Sequence, residues 1–141
     1  MKVLALIPAR KNSKSIPNKN LFKFQGIPLI GHAIKCALQV KKIDKVVFSS
    51  DSDEYISIAQ SYGAHSFGKR PPELALDETP MKDVVSFELG RFIEHFGYTP
   101  DLIFIIQPTQ PLRQPHHLEK ALSLIIQKGS DSVVSVVKIP Q

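Results

Sequence analysis

Short, unbroken apolar runs alternate along the chain with longer stretches in which apolar residues recur every three or four positions. The runs predict strands buried on both faces, and they cover residues 3–7, 46–48, 101–107 and 132–137, with a weaker fifth at 64–67. The longer stretches between them predict amphipathic helices. Strands and helices therefore alternate, which predicts an α/β fold whose mostly parallel sheet is covered by helices on both faces.

The four predicted helices have recognisable starts and apolar faces. Pro28 is expected at the first position of the first helix, and Thr79 is expected to cap the third helix ahead of Pro80. The second and fourth helices begin near Glu54 and at Pro115. The residues expected to face inward are Leu29, Ile30, Ala33, Ile34, Ala37 and Leu38; Ile56, Ala59 and Tyr62; Val85, Leu89, Phe92, Ile93 and Phe96; and Leu118, Ala121, Leu122, Ile125 and Ile126.

Positive charge is concentrated in the N-terminal part of the chain. The formal net charge is +5, nine of the 18 Lys and Arg residues lie within the first 43 positions, and the first acid is Asp44. The loop at residues 6–20, which follows the first strand, contains four cationic side chains and no acid. Such a loop is either a solvated basic surface or a site that holds an anion.

The position of this loop in the predicted sheet favours the anion site. Ligands of parallel α/β sheets bind outside the carboxyl ends of the strands. Four segments are expected at that edge, namely residues 6–20, residues 49–53, the loop that carries Arg70, and residues 107–113. Their convergence predicts a binding site for an anionic ligand.

Several other classes of protein are disfavoured. Cys36 is the single cysteine, so we expect neither a disulfide framework nor a cysteine-rich zinc site, and Cys36 itself is expected in the core. No apolar run approaches the roughly 20 residues of a membrane span, and the first run is shorter than a signal-peptide core. We therefore expect a cytoplasmic protein without a membrane partner. The basic loop lacks interleaved aromatic residues, which disfavours a nucleic-acid-binding module.

Ordered motifs resemble those of one enzyme family. Residues 6–20 read Leu-Ile-Pro-Ala-Arg-Lys-Asn-Ser-Lys-Ser-Ile-Pro-Asn-Lys-Asn. This pattern resembles the signature of the acylneuraminate cytidylyltransferases, which join CMP to sialic acid and related acidic sugars. Further matches follow in the family's order at residues 28–30, 49–51, 70–77, 107–113 and 131–135. Together they cover essentially the whole chain.

The resemblance implies a Rossmann-like three-layer nucleotidyltransferase fold with a mostly parallel sheet. Residues 1–141 would be a single domain, the CTP-binding portion of a cytidylyltransferase. CTP is the implied donor, Mg²⁺ the cofactor, and an acidic nine-carbon (nonulosonic, sialic-like) sugar the acceptor. Members of the family are longer, so the aspartates that hold the metal, and segments for the acceptor and for a homodimer, are expected beyond residue 141. The alternative is a catalytically inactive nucleotide-binding or self-associating remnant.

The resemblance also implies roles for individual residues. Arg10 would grip the phosphates and Lys19 would stabilise charge in the transition state, so these two are the candidate catalytic residues. Arg70 would lie near the cytidine, or would form a loop salt bridge with Glu73 or Asp77. The candidate CTP-binding residues are Ala9, Arg10, Ser13, Lys14, Lys19, Asn20, Arg70 and Gln107.

Four other polar residues each have two interpretations. Gln107 is expected to hydrogen-bond the ribose or sugar, or to satisfy loop backbone, and Arg113 is expected to serve an acidic ligand or the loop. Asp51 and Asp53 resemble a paired-carboxylate metal site. Helix capping explains both acids without a metal, and we favour that interpretation.

Overall fold

The computed structural model describes residues 1–12 and 16–136. Within these residues the strands are β1 (Val3–Pro8), β2 (Lys23–Phe24), β3 (Ile27–Pro28), β4 (Lys45–Ser49) and β5 (Leu102–Ile105). The α-helices are α1 (Leu29–Leu38), α2 (Asp53–Ser61), α3 (Met81–Phe96) and α4 (Pro115–Lys128). Short 3-10 segments cover Lys19–Leu21 and Pro72–Leu74.

Strand β1 is the centre of the main sheet. The strand order is β4–β1–β5, all pairs are parallel, and Leu6 lies opposite Val47 of β4 and Ile105 of β5. Every residue of β1 is buried, as its unbroken apolar sequence predicts. Strands β2 and β3 form a separate antiparallel hairpin, in which Gln25 and Gly26 have the positive φ values of a tight turn. The predicted α/β fold with a parallel sheet is confirmed.

Helices cover both faces of this sheet. On one face, Ile34 of α1, Tyr55 of α2 and Leu118 of α4 belong to the larger hydrophobic core. On the other face, Phe92 of α3 packs with Leu6 of β1 in a smaller core. The central strand contributes to both cores because successive side chains of a strand point to opposite faces. The predicted arrangement of three layers is therefore present.

Two predicted helix starts are wrong in detail. Pro28 ends β3 and is the N-cap of α1, and Pro80 is likewise the N-cap of α3 with an extended ψ of 143°. Thr79 does not cap α3 but closes the loop before it. Its hydroxyl donates to the carbonyl of Glu73 at 3.0 Å and accepts from the N–H of Leu76 at 3.1 Å. Both hydrogen-bonding functions of Thr79 are thus used within the loop.

Three residues predicted to face the core are instead exposed, namely Leu38, Ile93 and Ile126. In α3 the fully buried stripe runs along Val84, Glu88 and Phe92, so the helix is rotated relative to the predicted face. The apolar pattern did not predict that a charged residue, Glu88, lies inside this buried stripe. Cys36 is buried in the larger core, as expected.

Two of the predicted strands are not formed within the described residues. Residues 64–67 make only a single parallel bridge, in which the His65 N–H donates to Val46 at 2.9 Å and the His65 carbonyl accepts from Phe48 at 2.8 Å. Residues 132–136 have no regular secondary structure, and Val137, the end of that predicted strand, lies outside the described range. Among the helices that the structure describes, none is both long and apolar enough to cross a bilayer.

We expect mild acidification to lower the free energy of unfolding through His65. This imidazole packs against the rings of Phe67, His95 and Phe96. Burial lowers the pKa of His65, and the charges of His95 and Lys45 lower it further. The unfolded chain, in which a histidine has a pKa of about 6.5, takes up the proton at higher pH than the folded protein. The neutral His65 side chain therefore contributes its full stability above the pKa of the unfolded chain. This stability is lost as the pH falls from that pKa through the lower pKa of the folded state.

Chemical denaturation at about pH 7.5 and about pH 5.5, on either side of the histidine range, measures this effect. His65→Gln should lose less stability between the two values than the unsubstituted chain. His116→Gln, which removes an exposed histidine, is the matched control and should behave like the unsubstituted chain. An equal loss in the His65→Gln variant and the unsubstituted chain would contradict the prediction.

Candidate functional site

A cleft of about 260 Å³ lies at the carboxyl ends of β1 and β5. Six of the candidate CTP-binding residues line it, namely Ala9, Arg10, Lys19, Asn20, Arg70 and Gln107. The other two candidates, Ser13 and Lys14, lie outside the described residues. The structure thus brings the described candidates together at the sheet edge that parallel topology predicts for a ligand.

The start of the basic loop is tied to the end of β4. The N–H of Ala9 donates to the carbonyl of Ser49 at 2.9 Å, and the N–H of Lys11 donates to Asp51 Oδ1 at 2.9 Å. Within the loop, Asn20 Nδ2 donates to the carbonyl of Arg10 at 3.1 Å. Asn20 is buried, so its amide joins the two ends of the loop rather than pointing freely into solvent. These bonds hold Arg10 and Lys19 on one side of the cleft.

Tyr55 is a further anchor of the loop that the sequence analysis did not identify. Its hydroxyl donates to Asn18 Oδ1 at 3.0 Å and lies 3.4 Å from the carbonyl of Lys11. Asn18 has a φ of 53°, a left-handed conformation that asparagine tolerates better than most residues. Burial raises the pKa of Tyr55, so its hydroxyl remains a donor at neutral pH. The local sequence shows Tyr55 only as an early residue of α2.

Arg10, the predicted phosphate ligand, forms an ion pair with Asp77 through its Nη1. Both side chains are partly exposed at the cleft. The sequence analysis assigned Asp77 no role except as an alternative partner of Arg70. An anionic ligand that reached Arg10 would compete with Asp77 for the same guanidinium fork.

Arg70 is 5% exposed, which is unusual for an arginine. Its N–H donates to the carbonyl of Ser50 at 2.9 Å, and its Nη1 donates to the carbonyl of Leu74 at 2.6 Å. Its Nε has no hydrogen-bond partner among the described residues. Burial lowers the pKa of Arg70, while the charges of Asp51 and Glu88 oppose that fall. Arg70 is therefore a buried cation in the cleft wall with hydrogen-bonding capacity to spare.

Glu88 and Arg91 of α3 form an ion pair behind Arg70 that the sequence did not reveal. Glu88 is 1% exposed, and its Oε1 accepts from Arg91 Nε at 3.0 Å. Burial raises the pKa of Glu88, and the hydrogen bond from Arg91 opposes that rise. A glutamate in an amphipathic helix is ordinarily placed on the solvent face, so helical spacing alone gave no signal for this residue.

Arg113 hydrogen-bonds within the loop after β5, which is one of its two predicted roles. Its Nη1 donates to the carbonyl of Gln107 at 3.3 Å, and its Nη2 donates to Gln110 Oε1 at 3.0 Å. These bonds fold the loop back on itself. The side chain of Gln107 lies at the cleft, where its amide can contact a ligand.

The two acids after β4 have different environments. Ser52, not Asp51, is the N-cap of α2, and its Oγ accepts from the N–H of Tyr55 at 3.2 Å. Asp51 binds the basic loop through Lys11, whereas Asp53 lies in the first turn of α2 and pairs with Lys69 at 3.5 Å. The part of the chain that the structure describes contains no group of three His, Cys, Asp or Glu residues able to hold a metal ion.

The charges around the cleft favour an anionic ligand. Arg10, Lys19 and Arg70 line it, and Asp77 is the one acid among its described lining residues. Low-dielectric walls concentrate the field of such cations on a bound anion. An arginine fork and a lysine can together neutralise several phosphate oxygens, and Arg70 adds a third cation to the same cleft.

Comparison with known proteins points to the same family as the sequence motifs. The profile of the cytidylyltransferase family matches residues 4–140. The N-acylneuraminate cytidylyltransferase of Escherichia coli (strain RS218) is 36% identical over 123 residues, which cover 87% of this chain and 28% of that protein. The CMP-N,N'-diacetyllegionaminic acid synthase of Legionella pneumophila is 37% identical over 139 residues, which cover 99% of this chain and 59% of that protein. The chain thus spans between 28% and 59% of the length of these two relatives.

Solved structures share the fold. A CMP:2-keto-3-deoxy-manno-octonic acid synthetase in complex with CTP matches with a TM-score of 0.76 at 22% identity, over 92% of this chain and 49% of that one. A cytidylyltransferase from Leptospira borgpetersenii matches with a TM-score of 0.69 at 21% identity, over 90% of this chain and 50% of that one. The Rossmann-like nucleotidyltransferase fold and the resemblance to the acylneuraminate cytidylyltransferases are confirmed. With its profile matched over nearly the whole length, the chain belongs to the cytidylyltransferase family.

Proposed function

We propose that this chain binds CTP in the cleft and takes part in the transfer of CMP to the anomeric hydroxyl of a sialic-like nonulosonic acid. The observation that carries the proposal is the placement of Arg10, Lys19 and Arg70 around one cleft at the carboxyl edge of a parallel sheet. The triphosphate would lie on Arg10 and Lys19. The cytidine would lie towards Arg70 and Gln107.

In the proposed reaction the anomeric hydroxyl of the acceptor attacks the α-phosphorus of CTP. The new bond joins the sugar oxygen to that phosphorus, the bond to the bridging oxygen breaks, and pyrophosphate leaves while the hydroxyl proton is released. Such transfers depend on alignment and charge neutralisation more than on covalent help from the protein. Arg10 and Lys19 would neutralise the charge that develops on the phosphate oxygens.

Mg²⁺ is part of the proposal as the ion that accompanies CTP. When bound, it would neutralise phosphate charge and orient the leaving group. It commonly binds through phosphate oxygens, water and one or two carboxylates. Asp77 is the cleft carboxylate whose chemistry fits it, although in this structure Asp77 pairs with Arg10.

Binding and turnover are separate parts of the proposal, because the chain spans only part of the relatives' length. The relatives are named for N-acylneuraminate and for N,N'-diacetyllegionaminic acid, which supports an acidic nine-carbon sugar as the acceptor class. A catalytically inactive chain that binds nucleotide or self-associates is the second candidate.

Isothermal calorimetry tests the binding step, and pyrophosphate release tests turnover. CTP should bind with and without Mg²⁺, and ATP and GTP should bind much more weakly. Absence of CTP binding, or equal binding of all three nucleotides, would overturn the proposal. Pyrophosphate release with CTP and a panel of nonulosonic acids would establish turnover, whereas binding without release would establish the second candidate.

We expect Asp77→Asn to tighten CTP binding about two- to fivefold when Mg²⁺ is absent. The substitution removes the carboxylate that competes with phosphate for Arg10, and exposed ion pairs contribute up to about 1 kcal/mol. Calorimetry in EDTA measures the change, with Asp83→Asn, an exposed acid of α3, as the matched control. Unchanged affinity would show that Asp77 does not compete. A loss confined to solutions with Mg²⁺ would identify Asp77 as a metal ligand.

A further inference from the structure

Arg91 on α3 holds the short segment that leads into Arg70. Its Nη1 donates to the carbonyls of Phe67 at 2.9 Å and Lys69 at 3.4 Å, and its Nη2 donates to the carbonyl of Gly68 at 3.0 Å. Three consecutive carbonyls therefore converge on one guanidinium. The ring of Phe67 also lies 5.8 Å from this guanidinium.

Glu88 fixes the guanidinium from the other side. Its buried Oε1 accepts from both Nε and Nη2 of Arg91, one turn earlier on the same helix. A guanidinium is a rigid planar fork, so a carboxylate bound along one edge sets the directions of the remaining N–H groups. Those groups are the ones that reach Phe67, Gly68 and Lys69.

Phe67 packs in the smaller core, but among the described contacts few other hydrogen bonds hold the backbone of residues 67–69. Its predicted strand is reduced to the single bridge at His65, after which Gly68 has a φ of 97° that favours glycine. Beyond Arg91, the backbone is next secured where the N–H of Arg70 donates to Ser50. The guanidinium of Arg91 thus replaces the ladder of hydrogen bonds that a full strand would supply at residues 67–69.

We propose that Glu88 and Arg91 are positioning residues that place Arg70 in the nucleotide cleft. This inference rests on the proposed CTP binding for its functional consequence, whereas the contacts that carry it lie outside the cleft. Arg70 is buried and lines the cleft, so the position of its guanidinium in the cleft wall depends on where its backbone is held. Arg91 and Glu88 touch neither the cleft nor a proposed substrate atom.

The charge of Glu88 adds to this role. Glu88 and Arg70 attract each other electrostatically, and Glu88 Oε2 lacks a hydrogen-bond partner among the described residues. A buried anion behind a buried cation helps to keep that cation charged. The charge of Glu88 thus opposes the fall in the Arg70 pKa that burial causes, on the side of the cleft proposed for the cytidine.

The test compares Arg91→Ala with Lys82→Ala, which removes an exposed cation from the same helix. Calorimetry should show that CTP affinity falls about tenfold in Arg91→Ala and less than about twofold in Lys82→Ala. The reason is that Arg91, unlike the exposed Lys82, binds the carbonyls of residues 67–69. Arg91→Lys keeps the charge but not the fork, and should lose most of the same affinity. Inorganic triphosphate, which needs Arg10 and Lys19 but not the cytidine end, should bind all three variants equally.

Amide hydrogen exchange provides a readout that does not depend on CTP. The Arg70 amide should exchange faster in Arg91→Ala, while the His65 amide, bonded to Val46 at 2.9 Å, should keep its rate. If Arg91→Ala does not fold by circular dichroism, Arg91→Lys and Glu88→Gln carry the same measurements. Glu88→Gln keeps one oxygen acceptor for Arg91, but it removes the negative charge and replaces the second carboxylate oxygen with an amide donor.

The outcomes separate this inference from the proposed function. Absence of CTP binding by the unsubstituted chain would overturn the proposed function, and the exchange of Arg70 would then decide the inference alone. Normal CTP binding with Arg70 exchange unchanged in the variants would overturn the inference. Equal losses for CTP and inorganic triphosphate would also overturn it, because they would indicate general damage to the cleft.

Discussion

Arg10→Ala should weaken CTP binding by about 10- to 100-fold. Hydrogen bonds between charged groups contribute about 1.5–3 kcal/mol, which converts to a change of that order in the dissociation constant. The substitution also leaves Asp77 beside the triphosphate without its cation, so repulsion adds to the lost contact. Arg10→Ala is therefore the substitution with the largest expected effect on CTP binding.

Calorimetry with CTP in EDTA measures the change and keeps the metal out of the comparison. Lys11→Ala is the matched control, since this neighbouring cation donates to Asp51 through its backbone N–H and is not among the described residues that line the cleft. It should change the affinity less than about threefold, because exposed charges are screened by salt. Arg10→Lys, with the charge but not the fork, should lie between the two.

A double-mutant cycle sharpens the test of Arg10. If Arg10 and Asp77 interact as the structure shows, the effects of Arg10→Ala and Asp77→Asn should not be additive. The double variant should bind CTP more tightly than Arg10→Ala alone. Equal affinity of Arg10→Ala and Lys11→Ala would remove Arg10 from the proposed phosphate site.

Phe92→Ala should lower the free energy of unfolding by about 3–5 kcal/mol, the range for buried Phe-to-Ala changes. Phe92 is fully buried and forms the centre of the smaller core with Leu6. Its ring also contacts Phe96 at 4.8 Å and Tyr98 at 5.3 Å between centroids. The removed ring would leave a cavity between α3 and the sheet that these neighbours cannot fill.

Ile93→Ala is the matched control for Phe92, because both residues were predicted to face the core. Ile93 is 38% exposed, so its truncation should cost less than about 1 kcal/mol, as for surface changes in general. Urea denaturation of both variants at one pH measures the difference. Similar losses at the two positions would mean that α3 is rotated towards the face predicted from sequence.

The buried strands and the polar residues at their carboxyl ends could be predicted because both are visible in short, local stretches of sequence. The apolar run at β1 requires burial on both faces, and parallel strands place their carboxyl ends at one edge. Arg10, Lys19 and Gln107 follow strands or loops that reach this edge, so their meeting in one cleft followed from topology. The proposal of CTP as the ligand followed not from these signals but from the resemblance to the family.

Helix faces and caps were predicted less well, for a physical reason. Helical spacing shows which residues share a face, but not how far a neighbouring element extends over it. Leu38 and Ile126 lie at the ends of their helices, where no packed neighbour covers them fully. Thr79 is a residue type that often caps helices, yet its hydroxyl hydrogen-bonds to the backbone of Glu73 and Leu76 in the loop instead.

The sequence by itself determined the class of fold, the edge of the sheet that forms the cleft, and the cations available there. Only the tertiary structure decided the partners of those cations. Arg10 meets Asp77 across 67 positions of sequence, and the carbonyls that lead into Arg70 meet Arg91 across more than 20. Such pairs leave no periodic trace in the chain, because each is formed only when separate helices and loops pack on the same sheet.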